Sequence, residues 1–196
     1  LARSKQITDL VFAREAGVPI DEAGFNRIVG EAVADIVARQ KAAGVDLPSD
    51  GEMSKISYAT YIKDRLTGFA GDSARRPPQD LEQVPGFLER QAKGGGTPTY
   101  RRPKCIGEIA VKTLQPLRED IDNFQSALKS SGYAKGFMNS ATPGVIALFQ
   151  PNEFYTTQDD YLEAVAEAMR AEYEGIVAAG LILQLDSPDL GLCRHM

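Results

Sequence analysis

Apolar positions recur at three- and four-residue spacing in three stretches of the chain. In the first, Phe25, Ile28, Val29, Ala32, Val33, Ile36 and Val37 share one face of a helix predicted over 21–44. Asp21 can cap its start, and Gly44 can end it in a left-handed turn. The second, over 117–132, places Ile121, Phe124 and Leu128 on one face. The third, over 158–180, carries Leu162, Val165, Met169, Tyr173, Ile176 and Val177. Thr157 with Asp160 resembles a capping box there, and Gly180 offers the stop. Between the helices lie short apolar runs that read as strands: the head of "VDLPSDGEMS" (45–54), "KCIGEIAV" (104–111), about 135–140, and "LILQLD" (181–186). A Thr-Pro-Gly turn is expected at 142–144. Residues 55–102 are rich in Gly, Pro and Arg and predict long loops, with a short helix at 79–92.

Helices alternating with apolar strands predict βα units on a parallel sheet. The strands do not alternate strictly between apolar and polar, as expected where both faces are covered. Two α/β forms satisfy this pattern: a doubly wound open sheet, or part of a (β/α)8 barrel. A complete barrel takes about 250 residues, and this chain has 196.

In either form the chemistry collects where parallel strands end. One strand runs into Ser49-Asp50-Gly51-Glu52, another into Asn139-Ser140-Ala141-Thr142, and the last into Asp186-Ser187-Pro188-Asp189. Glu108 lies inside an otherwise apolar run. A buried charge is costly unless paired or ligated. Glu52 and Asp186 would concentrate negative charge at the mouth of a barrel, which suits a substrate ammonium or a metal. A purely structural role competes: Asp186 capping the next helix, Asp50 making a turn.

Composition narrows the classes without choosing among them. Hydrophobic residues make up 43% of the chain and charged residues 25%, enough for a sizeable core. The formal net charge of −5 argues against nucleic acid as the main partner. No run approaches the roughly 18 apolar residues of a membrane span, and no secretory signal opens the chain. Cys105 and Cys193 lack CxxC spacing and read as free thiols in a reducing cytoplasm. Cys193 and His195 stand at i, i+2, but two ligands do not make a zinc site.

Four stretches, in order, carry a resemblance: "SDGEMSKISYATYIKDRLTGF", "RRPKCIGEI", "KGFMNSATPGVIALF" and "LILQLDSPDL". They resemble the cobalamin-independent methionine synthase superfamily, in particular its single-barrel relatives. The resemblance implies a TIM (β/α)8 barrel of the methionine synthase/uroporphyrinogen decarboxylase type, of which residues 1–196 form roughly half, with a loop insertion at about 55–102. It implies a methyltransferase that moves a methyl group from a methyltetrahydrofolate-type donor to a thiol such as homocysteine, in methionine biosynthesis. Asp186 and Glu52 match the two carboxylates that hold the amino group of the thiol substrate. Arg101 and Arg102 fall near the basic approach to the folate tail, and Ser140 and Thr142 on the loop beside the pterin site. "LDSPD" replaces an "IDEP"-like pattern, which leaves open alkyl transfer to or from another thiol, of a coenzyme-M-like kind. A non-catalytic metabolite-binding barrel is the remaining alternative. The implied cofactor is zinc, with its ligands outside this chain, so the segment alone is expected to be inactive. The implied partners are small molecules, with no nucleic acid or membrane, and a second copy in a homo-oligomer is possible on the same grounds.

Overall fold

The computed structural model describes residues 2–73, 83–84, 86–87, 89–90 and 101–192. Helix α1 spans Lys5–Glu15, capped by Ser4, whose hydroxyl accepts from the Ile7 N–H. Apolar spacing gave no sign of α1, because only Ile7 and Val11 are buried on it. Helix α2 spans Glu22–Ala42 and buries Phe25, Val29, Val33, Ile36 and Val37, the predicted face. Its stop is the predicted one, with Gly44 at φ 77°. Asp21 occupies the N-cap position but makes no side-chain capping bond.

The predicted first strand is reduced to one parallel bridge, Ser49 to Phe137. Pro48 has no N–H to give a ladder. Both backbone groups of Ser49 are taken by the Gln40 side chain, at 3.1 and 2.8 Å. The region predicted as loop then carries a 3-10 helix, Thr60–Asp64, with Thr60, Tyr61 and Ile62 buried. Strands β1 (Phe69–Ala70) and β2 (Lys104–Cys105) pair antiparallel. This changes the reading of "KCIGEIAV": it is not a strand of the parallel sheet. At Gly68 the backbone comes so close that a Cβ would lie 2.6 Å from the Gly107 carbonyl oxygen. The Ile106 N–H donates to the Gly68 carbonyl and the Thr67 N–H to that of Ala110, so 104–111 closes an antiparallel corner with 65–70. Of the helix predicted at 79–92, only Gly86, Phe87, Glu89 and Arg90 are described as helical.

Helix α3 (Gln115–Ser130) buries Ile121, Phe124 and Leu128 as predicted. Strand β3 spans Phe137–Ala141. The expected Thr-Pro-Gly turn is instead the start of helix α4, Pro143–Phe149. Thr142 caps it and Pro143 takes its first position, where a missing N–H costs nothing. Helix α5 (Gln158–Ala178) opens with the predicted capping box, Thr157 accepting from the Asp160 N–H at 3.0 Å. Strand β4 (Ile182–Asp186) pairs parallel with β3, from Phe137–Ile182 to Ala141–Asp186. Helix α6 spans Asp189–Leu192. The described parallel sheet thus runs Ser49, β3, β4.

Two apolar clusters cover this sheet. One joins α1, α2 and α3 to Met53, Met138, Ile176 and Leu181. The other joins residues 59–66 to Cys105, Ile109, Ala141, α4 and α5. Between them lies Arg65, 4% exposed. Its guanidinium reaches Asp120 of α3 at 2.5 Å and Glu172 of α5 at 2.8 Å. Glu172 also accepts from Tyr61 at 2.5 Å and from Ser140 at 2.7 Å, and Asp120 from Ser54 at 2.6 Å. Burial acts to lower the Arg65 pKa, but Glu172 and then Asp120 outweigh it and the net shift is upward. Removing one member of such a buried group strands the opposite charges. Arg65→Met is therefore expected to cost about 3–5 kcal/mol in urea unfolding. Glu172→Gln, which can still accept from Tyr61 and Ser140, should cost distinctly less; equal losses would contradict this assignment of the charges.

Candidate functional site

Side chains two apart on a strand share a face. The β3–β4 register pairs Asn139 with Gln184 and Ala141 with Asp186, so Asn139, Gln184 and Asp186 all project from one face of the sheet. Met138 and Leu183 project from the other, into the cluster of α1, α2 and α3. The Asp186 carboxylate is half-buried. It accepts from the Asn139 amide at 3.0 and 3.3 Å and from the Gln184 amide at 3.0 Å. Its backbone carbonyl accepts from the Thr142 N–H and hydroxyl, at 3.2 and 3.1 Å. The strand end is thereby tied to the cap of α4. The Thr142 hydroxyl also lies 3.2 Å from the Asp189 carboxylate.

Glu52 stands on a tight turn. Gly51 and Glu52 both have left-handed backbone, at φ 69° and 56°. For a glutamate that conformation is uncommon and has to be held. The Asp50 carboxylate holds it, accepting from the Glu52 N–H at 3.1 Å. The Arg3 guanidinium donates to the Glu52 carbonyl at 2.7 Å and also to the Lys55 carbonyl. Lys55 is buried, with its ammonium 4.0 Å from the Glu52 carboxylate and over the Tyr61 ring at 4.4 Å. That ammonium donates to the Asn139 carbonyl at 2.6 Å. One residue, Asn139, therefore touches the supports of both carboxylates.

The other sequence candidates lie in different surroundings. Ser140 is buried, and its hydroxyl donates to Glu172. Arg101 lines a cavity of about 340 Å³ with Arg14, Glu15, Lys63 and Asp64. The Arg102 guanidinium lies 4.9 Å above the Phe149 ring, while its backbone N–H donates to Asp72. Cys105 is buried as expected of a core thiol. Cys193 and His195 lie outside the described residues. Among the described residues no three His, Cys, Asp or Glu side chains are arranged to hold a metal ion. They do not fit a zinc site. No described helix is long and apolar enough to cross a membrane.

Sequence reasoning passed over Lys55, Arg65, Asp120 and Glu172, and named Asn139 only as part of a polar strand end. Two of these carried a signal. Glu172 falls on the apolar stripe of α5, between Met169 and Ile176, and Asp120 falls between Leu117 and Phe124 on α3. A carboxylate at helical spacing on a buried face calls for a buried cation. Lys55 and Arg65 sat in a stretch without periodicity and gave none.

Asp50 is fully enclosed, and its pKa is raised to about 6, by burial first and against the pull of Lys55. A carboxyl whose folded pKa lies above its unfolded value keeps its proton longer in the fold. Its ionisation costs stability as pH rises from about 4 to about 6, and the cost is complete above that. Asp50→Asn removes the titration. Relative to wild type, the variant should gain about 1–2 kcal/mol of stability between about pH 5 and pH 7.5. Denaturant unfolding at both pH values measures it, and a pH-independent difference would exclude Asp50 as the titrating group.

Comparison with known proteins adds three relatives and one structure. The chain is 26% identical over 188 residues to methionine synthase from Sulfolobus acidocaldarius, covering 95% of this chain and 49% of that protein. It is 27% identical over 188 residues to methionine synthase from Sulfurisphaera tokodaii, with the same shares. It is 26% identical over 190 residues to methionine synthase from Saccharolobus solfataricus, covering 96% and 50%. The chain spans about half the length of these curated relatives. A B12-independent methionine synthase from Shewanella sp. W3-18-1, solved in complex with selenomethionine, superposes with a TM-score of 0.66 at 18% identity. That match covers 87% of this chain and 44% of the solved one, and it shows a shared fold. No protein-family model matches the chain.

Proposed function

We propose that this chain, a relative of the cobalamin-independent methionine synthases along nearly all its length, forms the part of a (β/α)8 barrel that holds the amine end of a thiol substrate. The reaction is methyl transfer to a thiol such as homocysteine, from a methyltetrahydrofolate-type donor. The S–CH3 bond forms as the donor N–CH3 bond breaks, and the proton lost by the thiol is balanced by the one taken up at the donor nitrogen. The single observation that carries the reading is the linkage through Asn139, whose amide donates to Asp186 and whose carbonyl receives the Lys55 ammonium beside Glu52. Two carboxylates supported from one residue bring negative charge to neighbouring strand ends, which suits one ammonium.

Asp186 and Glu52 bind and orient the substrate amine, and so fix where its sulfur lies. Holding a reactant in place converts binding into rate. Zinc is the cofactor expected of this chemistry, with ligands supplied from outside the described residues. No step through the metal is assigned to this chain. Thr142 supports the Asp186 end through α4, while Arg101 and Arg102 are the proposed basic groups for an anionic donor tail.

The test uses the protein as its cells make it. A charge-assisted hydrogen bond contributes about 1.5–3 kcal/mol. Asp186→Asn should therefore lower kcat/KM for L-homocysteine by roughly 10- to 100-fold. For the deaminated analogue, mercaptobutyrate, the same variant should change kcat/KM by less than about threefold. Equal effects on both thiols would overturn the amine reading and favour a thiol acceptor without an amine.

A further inference from the structure

Asp186 and Glu52 are not equivalent. The carboxylate of Glu52 has the Lys55 ammonium 4.0 Å away, and the Arg3 guanidinium donates to its backbone carbonyl. Its charge is thus shared with one buried cation, Lys55. Asp186 is met only by neutral amides, those of Asn139 and Gln184, and among the described residues no cation lies within ion-pair distance of it. An amide fixes the direction of a carboxylate without cancelling its charge. Asp186 is therefore held in a set orientation by amides, with no opposite charge beside it among the described residues.

The lone pairs sharpen this. A carboxylate offers about four acceptor sites. Oδ1 of Asp186 takes the Gln184 amide at 3.0 Å and the longer Asn139 contact at 3.3 Å. Among the described residues Oδ2 takes only Asn139, at 3.0 Å, which leaves it a second acceptor site on the same sheet face. Asn139 and Gln184 are cross-strand partners, so the parallel register that builds the sheet also sets the two amides around the carboxylate.

Resting on the amine-binding reading above, we propose that Asn139 and Gln184 are positioning residues. Together they form an amide clamp that aims Oδ2 of Asp186 at the substrate ammonium. Glu52, which shares its charge with Lys55, is the second and weaker of the two carboxylates that hold the amine. The clamp sets the preference of the site for amine-bearing ligands over ligands of the same shape without the amine.

The test is a binding titration of the protein as its cells make it, with L-methionine and with deaminated methionine as the two probes. The readout is the ratio of their dissociation constants, which a general loss of fold leaves unmoved. Asp186→Asn tests the underlying reading and should reduce the ratio by roughly 10-fold or more. Asn139→Ala keeps the backbone carbonyl that Lys55 uses, and Gln184 is exposed, so both variants spare the rest of the fold. Each should reduce the ratio by about 3- to 10-fold, and the double variant should approach Asp186→Asn. Glu52→Gln removes the weaker of the two binding carboxylates and should reduce the ratio by about 2- to 5-fold, less than Asp186→Asn. If Asp186→Asn abolishes the preference while Asn139→Ala and Gln184→Ala leave it intact, the clamp is wrong and the amine reading stands. If Glu52→Gln matches Asp186→Asn, the division between the carboxylates is wrong. If Asp186→Asn leaves the preference intact, the amine reading falls and the clamp with it.

Discussion

The fold depends on one buried cation. Arg65 has almost no access to water, yet its guanidinium carries a charge, and that charge is tolerable only because Asp120 and Glu172 arrive from two different helices. Neither carboxylate could stay buried without it. The interaction therefore constrains α3, α5 and the segment 60–65 together. Ser140 on β3 joins through Glu172, so the position of the central strand is part of the same constraint. Residues 55–66 have little regular structure of their own. They are held by charge and hydrogen bonds, where a strand would be held by a ladder.

The same segment delivers the site. Tyr61 sits between the two buried cations, with Lys55 on its ring at 4.4 Å and Arg65 at 4.8 Å. Its hydroxyl is directed at Glu172, and burial, then the Glu172 charge, raises its pKa well above the ordinary phenol. Tyr61 therefore stays neutral and donates. Lys55 is left to face Glu52 and the Asn139 carbonyl. A chain of short contacts thus runs from the structural ion group to Glu52 and to the backbone of Asn139 on β3.

How much of this was legible follows from what sequence patterns record. Periodicity reports which face of an element meets the core, so α2, α3 and α5 were readable in type and face, and Gly44 and Gly180 marked the stops of α2 and α5. Val177 is the exception: it falls on the predicted stripe of α5 but is 57% exposed. Strand assignment went astray where a side chain takes the backbone groups or where the partner strand lies in a stretch read as loop. The groups of Ser49 go to Gln40, and 104–111 pairs antiparallel with a segment read as loop. Thr142 was read as a turn because Thr-Pro-Gly serves a helix start equally well. At the site, the acidic strand ends stood out as charge breaking an apolar run. Their partners did not, since Asn139, Gln184 and Lys55 acquire meaning only from the register of β3 against β4 and the path of 52–61.

The sheet face also decides how strong an amine site can be. Below Asp186 and Gln184 on that face lies Ile182, 44% exposed among the described residues. An ammonium bound at Oδ2 covers the polar end of the strand and leaves this apolar layer open. Water near Ile182 keeps the local dielectric high, and the attraction between ammonium and carboxylate falls as the dielectric rises. Orientation of Asp186 is thus a property of β3 and β4 themselves, while the energy drawn from that orientation depends on what packs over Ile182. A chain that presents the carboxylate correctly but leaves the layer beneath it wet would recognise an amine and bind it weakly. Covering that layer with apolar side chains strengthens the same hydrogen bond without moving a single atom of the clamp.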